Sequence, residues 1–343
     1  MTYNFDADPR LDPRIKAALD MLSDPIETDV ASREEMLAED SSPLGVERTL
    51  ITAQFLELLD DEGVAPSKGL RVTTQEIVSS PDGNAIKLQI IRPDSDQIVP
   101  CVYYIHGGGM ALYSCFYGNY RAWGRIIAAH GVAVVMVDFR NSISPSSAPE
   151  VAPFPAGLND CVSGLKWTHA NAATLNIDPR RIVVAGESGG GNLTIATGLK
   201  LKQDGESDIV RGLYALCPYI AGRWPDKRYP SSEENNGIFL ELHNNRGAMG
   251  YGIDAYNARD PLAWPGFATK DDVTGLPPTV ISVNECDPLR DEGIAFYRLL
   301  LSAGVAARGR EVLGTMHATE VLPLLCPEIS HDTARDLAAF ALS

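Results

Sequence analysis

The stretch Arg181-Ile182-Val183-Val184-Ala185-Gly186-Glu187-Ser188-Gly189-Gly190-Gly191-Asn192 reads as a buried strand, a sharp turn and the first turn of a helix. Residues Gly186 to Gly190 fit G-x-S-x-G. In that motif a tight strand-to-helix turn forces the serine into a strained backbone conformation, and only glycines leave room around it. The competing reading is a glycine-rich turn that merely packs a helix on a sheet. The strand before the motif and the helical Asn192–Lys200 after it favour an exposed nucleophile.

Outward from this point the same rhythm repeats. Cys101–Ile105, Val132–Val137, Ile182–Ala185, Leu213–Leu216 and Val280–Val283 are continuous apolar runs too short for helices. Runs of this kind suit strands covered on both faces, as in a parallel sheet. Helical stretches around 119–130, 156–175, 191–203 and 291–303 separate them, which predicts a doubly wound α/β fold: a mostly parallel central sheet with helices on both faces. Ile86, Leu88 and Ile90 alternate with polar residues after the turn Pro81-Asp82-Gly83-Asn84, so strands over 71–79 and 86–91 are expected at the edge of the sheet, making it mixed. The first 65 residues read as helical, from the spacing of Ile15, Ala18, Leu19 and Leu22 and of Ile51, Phe55 and Leu58. Residues 221–275 are rich in Gly, Pro, Asn and Trp and too long for an ordinary connection, which predicts an inserted lid. The expected organisation is a core of 66–220 and 276–343 under a helical cap of 1–65 and 221–275.

Composition limits the functional classes. The chain has 343 residues, 45% of them hydrophobic, with 29 basic against 45 acidic side chains and a formal charge of −16. It is long enough for a large core, and its charge repels phosphate backbones and anionic lipid. Neither nucleic acid nor a membrane surface is therefore an expected partner, while homo-oligomer formation is left open. The start Met1-Thr2-Tyr3-Asn4-Phe5-Asp6 has no basic and apolar leader, and Val132–Val137 is the longest apolar run, so a cytoplasmic location is expected. Six scattered cysteines without Cys-x-x-Cys spacing predict free thiols, no metal and no cofactor.

A serine nucleophile needs an oxyanion site, a base and an orienting carboxylate. His106-Gly107-Gly108-Gly109 ends the first buried run, and its glycines let backbone N–H groups approach a substrate. Such donors, with the N–H of Gly189 after the nucleophile, would stabilise an oxyanion. A phosphate-cradling loop would need a Lys-Ser/Thr that is absent. His106 is expected to fix the loop by a hydrogen bond. Asp287 follows the run Thr279–Val283, and His317 follows the strand-like Glu311-Val312-Leu313, giving the order Ser188, Asp287, His317 with spacings of 99 and 30 residues. Asp291 and Glu292 compete as the acid, and His331, His243, His130 and His169 as the base. Ser163-Gly164-Leu165-Lys166 satisfies S-x-x-K but sits mid-helix with no following Lys-Thr-Gly, and Cys115 and Cys286 lack a base.

His106-Gly107-Gly108-Gly109, the elbow Gly186–Gly190, Pro153-Phe154-Pro155-Ala156 and Asp287-Pro288-Leu289-Arg290-Asp291-Glu292-Gly293 together resemble the hormone-sensitive-lipase-like branch of the α/β-hydrolases over 106–317. The resemblance implies a carboxylic ester hydrolase acting on a small-molecule ester, with Ser188 as nucleophile, His317 as base then acid, and Asp287 orienting it. It implies Gly107, Gly108 and Gly189 as the oxyanion donors. It also implies a cap. Many members read Gly-Asp-Ser-Ala-Gly at the elbow, whereas this chain has Glu187 and Gly189. Many also read Asp-Tyr-Arg-Leu-Ala-Pro-Glu where this chain has Asp138-Phe139-Arg140-Asn141-Ser142-Ile143. Both departures border the pocket. Met110, Tyr113, Glu187, Trp264 and Phe267, with Trp224 and Phe239, are candidate substrate-binding residues, or else lid core. An amidase, peptidase or acyltransferase would share the triad. A non-catalytic receptor of this fold, like the plant gibberellin receptors, would lack the histidine that His317 supplies.

Overall fold

The computed structural model describes residues 8–22 and 27–343. The apolar runs pair into one sheet of eight strands: β1 (Leu70–Val78), β2 (Ala85–Pro93), β3 (Val99–Ile105), β4 (Ala133–Asp138), β5 (Ile177–Glu187), β6 (Gly212–Leu216), β7 (Thr279–Asn284) and β8 (Ala307–Val312). Their order is β1-β2-β4-β3-β5-β6-β7-β8. From β4 to β8 neighbours are parallel; β1 and β2 pair antiparallel with each other, and β2 with β4. The sheet is thus mixed as expected, although 86–91 is not an edge, because β2 lies between β1 and β4.

Every residue of β3, β4, β6 and β7 is buried, which is why these runs show no alternation. Successive side chains of a strand point to opposite faces. Tyr103, Val135 and Val184 pack with Leu158, Leu165 and Leu193 from the helices Ala156–Ala170 and Gly189–Asp204. Tyr104, Val134 and Val183 pack on the other face with Trp123 and Leu337 from the helices Gly118–Ala128 and Pro327–Leu342. β8 is a polar edge whose Arg308 and Arg310 pair with Asp336, so hydrophobicity marked only its last residues.

The N-terminal segment forms the helices Pro13–Leu22, Arg33–Asp40 and Pro43–Glu57; residues 1–7 and 23–26 of the expected cap, and the side chain of Leu22, lie outside the described residues. Ile15 and Leu19 are buried as their spacing predicts. Of the face predicted from Ile51, Phe55 and Leu58 only Phe55 packs, beside Leu56 and Leu59; Ile51 is 59% and Leu58 74% exposed, while Gly45 and Leu56 are buried. The reason is that this helix turns Arg48, Thr52 and Leu56 toward the functional cavity and packs its end on Gly118.

Residues 221–275 contain the helices Ser231–Glu234, Arg246–Asn257 and Lys270–Val273. They meet the N-terminal segment through Arg246 and Glu39 (2.7 Å) and through the Asn245 amide, which donates to the Val30 carbonyl (2.8 Å). Among the described residues no helix is long and apolar enough to cross a membrane.

Candidate active site

β5 runs directly into the elbow. Ser188 has φ 57° and ψ −121°, a conformation costing about 1–3 kcal/mol, and it initiates the helix Gly189–Asp204. The strain is held by the Ser188 N–H donating to the Leu216 carbonyl (3.0 Å) and by glycines that admit the neighbouring chain. A β-carbon on Gly189 would lie 2.6 Å from the Met110 nitrogen and 2.8 Å from that of Gly109. Glycine in place of the more common alanine is thus matched by a closely approaching loop.

That loop leaves β3. Gly108, Gly109 and Met110 all have positive φ (93°, 60° and 59°). The Gly107 N–H points inward and donates to Glu187 Oε1 at 2.6 Å. Gly107 is therefore not placed to donate to a substrate, contrary to expectation. Gly108 and Gly109 line the cavity instead. Glu187 touches the cavity too, but its oxygens are used within the protein: Oε1 also accepts from Tyr120 (2.7 Å), and Oε2 from Tyr104 (2.5 Å). Burial pushes its carboxyl up to about 7 despite these donors. It holds the loop rather than the substrate. A signal existed in the sequence, since a tyrosine such as Tyr104 in a doubly covered strand needs a polar partner.

The loops after β7 and β8 bring Asp287 and His317 together. His317 Nδ1 and Asp287 Oδ2 are 2.7 Å apart, both residues are buried, and Asp287 Oδ1 accepts from the Leu289 N–H (2.8 Å). Burial pulls the imidazole down, but the Asp287 carboxylate outweighs it through its charge and hydrogen bond, leaving His317 above its ordinary value. Behind this pair, Asn284 Nδ2 donates to Thr315 Oγ1 (2.8 Å) and to the buried Glu320 (3.1 Å), a group not singled out in the sequence.

Ser188 and His317 share the wall of one cavity of about 400 Å³. Leu56, Tyr117, Ile143, Leu240 and Leu322 give it apolar walls, with Glu39 and Arg246 among its polar residues. Tyr113 and Phe239 line it as expected of them; Asn141 fixes Tyr113 by donating to its carbonyl (2.8 Å), which gives the departure at Asn141 a structural role. Met110, Trp264 and Phe267 are not on its wall. Met110 is buried in the core. Trp264 is fully buried against Tyr219, Trp224 and Tyr251 (5.6–6.4 Å between rings), and Phe267 packs on Tyr256 and Arg259. These aromatics form the base of the 221–275 segment, which apolar composition alone does not separate from a pocket. Trp224 belongs there too, its indole N–H donating to Glu292 (2.7 Å).

The rival residues have other duties. Glu292 also accepts from the Ile220 and Ala221 N–H groups (2.6 and 3.1 Å), and Asp291 from the Ser231 N–H (2.8 Å). His243 and His331 bond to the carbonyls of Ser232 and Val64. His106 is buried, stacked on Phe139 (4.3 Å) and bonded to the Gly107 carbonyl, so it fixes the loop. Ser163 Oγ accepts from the Ser80 N–H, and Lys166 pairs with Glu206. All six cysteines are free and buried. A depression lined by His169, Arg180, Arg211 and Pro278 opens at the opposite ends of the strands, away from these groups.

A strained serine after β5, a histidine–aspartate pair after β7 and β8, and a glycine loop after β3 define a serine hydrolase built on the α/β-hydrolase architecture. Comparison with known proteins agrees. Residues 102–321 match the model of a family with the alpha/beta hydrolase fold. The chain is 33% identical to the carboxylesterase NlhH of Mycobacterium tuberculosis over 261 residues, 70% of this chain and 73% of that protein. The solved structure of esterase Est22 is 61% identical and superposes with a TM-score of 0.98 over 99% of this chain and 100% of its own. Brefeldin A esterase, a bacterial homologue of human hormone sensitive lipase, is 35% identical with a TM-score of 0.85, covering 98% of this chain and 94% of its own. The chain belongs to this α/β-hydrolase family, as one of its carboxylic ester hydrolases.

Proposed function

We propose that the protein hydrolyses small to medium carboxylic esters through an acyl-enzyme on Ser188. The observation that carries this reading is the 2.7 Å His317–Asp287 hydrogen bond on the cavity that the strained Ser188 lines. His317 Nε2 takes the Ser188 Oγ proton as Oγ attacks the ester carbonyl. The Gly108, Gly109 and Gly189 N–H groups receive the developing oxyanion. His317 then passes the proton to the departing alkoxide, and the alcohol leaves. Water enters, gives its proton to the same nitrogen and attacks the acyl group; collapse returns Ser188 and releases the acid. Asp287 accepts the Nδ1–H hydrogen bond, holding the tautomer with Nδ1 protonated. These steps need no cofactor. The cavity volume suits a compact acyl or alcohol group, with Tyr113 and Phe239 on its walls. The described residues of 1–65, together with 221–275, act as its cap, and six unpaired thiols suit the cytoplasm.

Ser188→Ala is expected to cut turnover of a p-nitrophenyl ester by about 10⁴-fold or more while circular dichroism stays native. More than a few per cent of residual turnover in a folded variant overturns the assignment.

A further inference from the structure

The ends of three adjacent strands deliver more than a nucleophile and an acid. Ser188 follows β5 and Asp287 follows β7; between them, directly after β6, stands Cys217. Cys217 is fully buried, with a positive φ of 34°, and its N–H donates to the Ser282 carbonyl (2.7 Å). This places a thiol behind the histidine–aspartate pair. One ligand atom each from Cys217, Asp287 and His317 lies within 4.8 Å of the others. The proposed reaction makes no use of this sulfur.

The surroundings favour a cation. Burial first, and then the carboxylates of Asp287, Glu320 and Glu187, push the Cys217 thiol up, and the three carboxylates would offset the charge of a bound cation. Close to them the positive counter-charge comes from His317, with Arg310 acting on Glu320. Thiolate, imidazole and carboxylate are the donor set of tetrahedral zinc, at about 2.3, 2.0 and 2.0 Å, which puts the ligand atoms roughly 3.3–3.6 Å apart. The Nδ1–Oδ2 edge, now 2.7 Å, has to widen by about half an ångström, and the edges to sulfur, which lie within 4.8 Å, to shorten by up to about 1.3 Å. Of the three residues only His317 lines the cavity, so an ion reaches its Nδ1 side by passing the imidazole ring.

We infer that Cys217, Asp287 and His317 form an inhibitory site for a thiophilic divalent cation, Zn²⁺ or Cd²⁺. On binding, the Cys217 thiol proton leaves to solvent and the metal–sulfur bond replaces it. The proton on His317 Nδ1 is displaced by the metal and moves to Nε2. Nε2 then carries a proton and cannot accept that of Ser188, so hydrolysis stops without oxidation or reduction. The effect on turnover rests on His317 being the base; binding itself does not.

The test uses the purified full chain with p-nitrophenyl acetate, titrated with ZnCl₂ and CdCl₂ and then with EDTA. Wild type is expected to lose kcat and to recover it on chelation. Cys217→Ser, and independently Cys217→Ala, keep basal turnover and need at least tenfold more metal for half-inhibition. Cadmium is expected to give one more equivalent of ultraviolet thiolate charge-transfer absorption in wild type than in either variant. Equal metal sensitivity in wild type and both variants overturns the inhibitory role, and an equal cadmium–thiolate signal overturns the site. If the chain proved not to be an esterase, the cadmium difference would still report the site, so the two failures are distinguishable.

Discussion

Replacing Glu187 with glutamine removes a charge that the fold carries at a cost. Burial pushes this carboxyl up to about 7, while Tyr104, Tyr120 and the Gly107 N–H oppose the rise. In the unfolded chain a glutamate titrates near ~4.3. The native state therefore binds the proton more tightly than the unfolded state. The stability it contributes is fully present below ~4.3 and is lost as pH rises through about 7. At ~1.36 kcal/mol per pH unit, ionisation of Glu187 removes roughly 2–3 kcal/mol of stability between pH 5 and pH 8. Glutamine carries no such dependence. Its carbonyl can occupy the Oε1 position and keep the bonds from Gly107 and Tyr120, while its NH₂ faces the Tyr104 hydroxyl, which turns to accept. Urea unfolding of both proteins at pH 5, 6, 7 and 8, at fixed ionic strength, measures the difference. Glu187→Gln is expected to gain roughly 2–3 kcal/mol relative to wild type across that range. Glu292, which burial pushes up to about 8, titrates in both proteins and cancels. Because Gly107 stays held, kcat/KM should remain within about tenfold. Parallel stability profiles for the two proteins would refute the reasoning.

Four further outcomes follow from other interactions in the structure. Because Asp287 holds His317 above its ordinary value, the rising limb of wild-type kcat/KM should have its midpoint above ~6.5. Asp287→Asn should lower kcat by about 10⁴-fold and move the midpoint down, and a wild-type midpoint below pH 6 contradicts the assignment. Glu292→Ala strands the N–H groups of Ile220, Ala221 and Trp224, so chemical denaturation should show a loss of roughly 3 kcal/mol or more with a shift in tryptophan fluorescence; unchanged stability counts against this anchor. Arg140→Met leaves the fully buried Asp160 without its 2.8 Å partner and should cost about 3–5 kcal/mol, against near-zero if the pair were dispensable.

Much of the fold was legible because doubly covered strands are short, uninterrupted and apolar, and because glycines mark where chains must touch. Strand position and chain order pointed to Ser188, Asp287 and His317, and the fold sets His317 2.7 Å from Asp287 on the cavity that Ser188 lines. Gly107 was misplaced because a run of three glycines does not say which N–H turns inward; that depends on Glu187, 80 residues away, and its 2.6 Å acceptor. Trp264 and Phe267 were ambiguous for a related reason, since buried aromatics serve a lid base and a pocket wall equally well. The exposed Ile51 and Leu58 show the limit of periodicity. The helix Pro43–Glu57 faces a partly polar cavity, so its apolar spacing did not point to its packed side.

The close approach at Gly189 limits how the elbow can be re-engineered. The Met110 and Gly109 nitrogens occupy the space that an alanine side chain would need at that position. The elbow and the glycine loop are thus a sterically matched pair. Grafting the commoner Gly-Asp-Ser-Ala-Gly sequence alone would push the loop outward and, with aspartate too short to reach the Gly107 N–H, would also release its anchor. An exchange of elbows between relatives should therefore carry the segment after β3 with it.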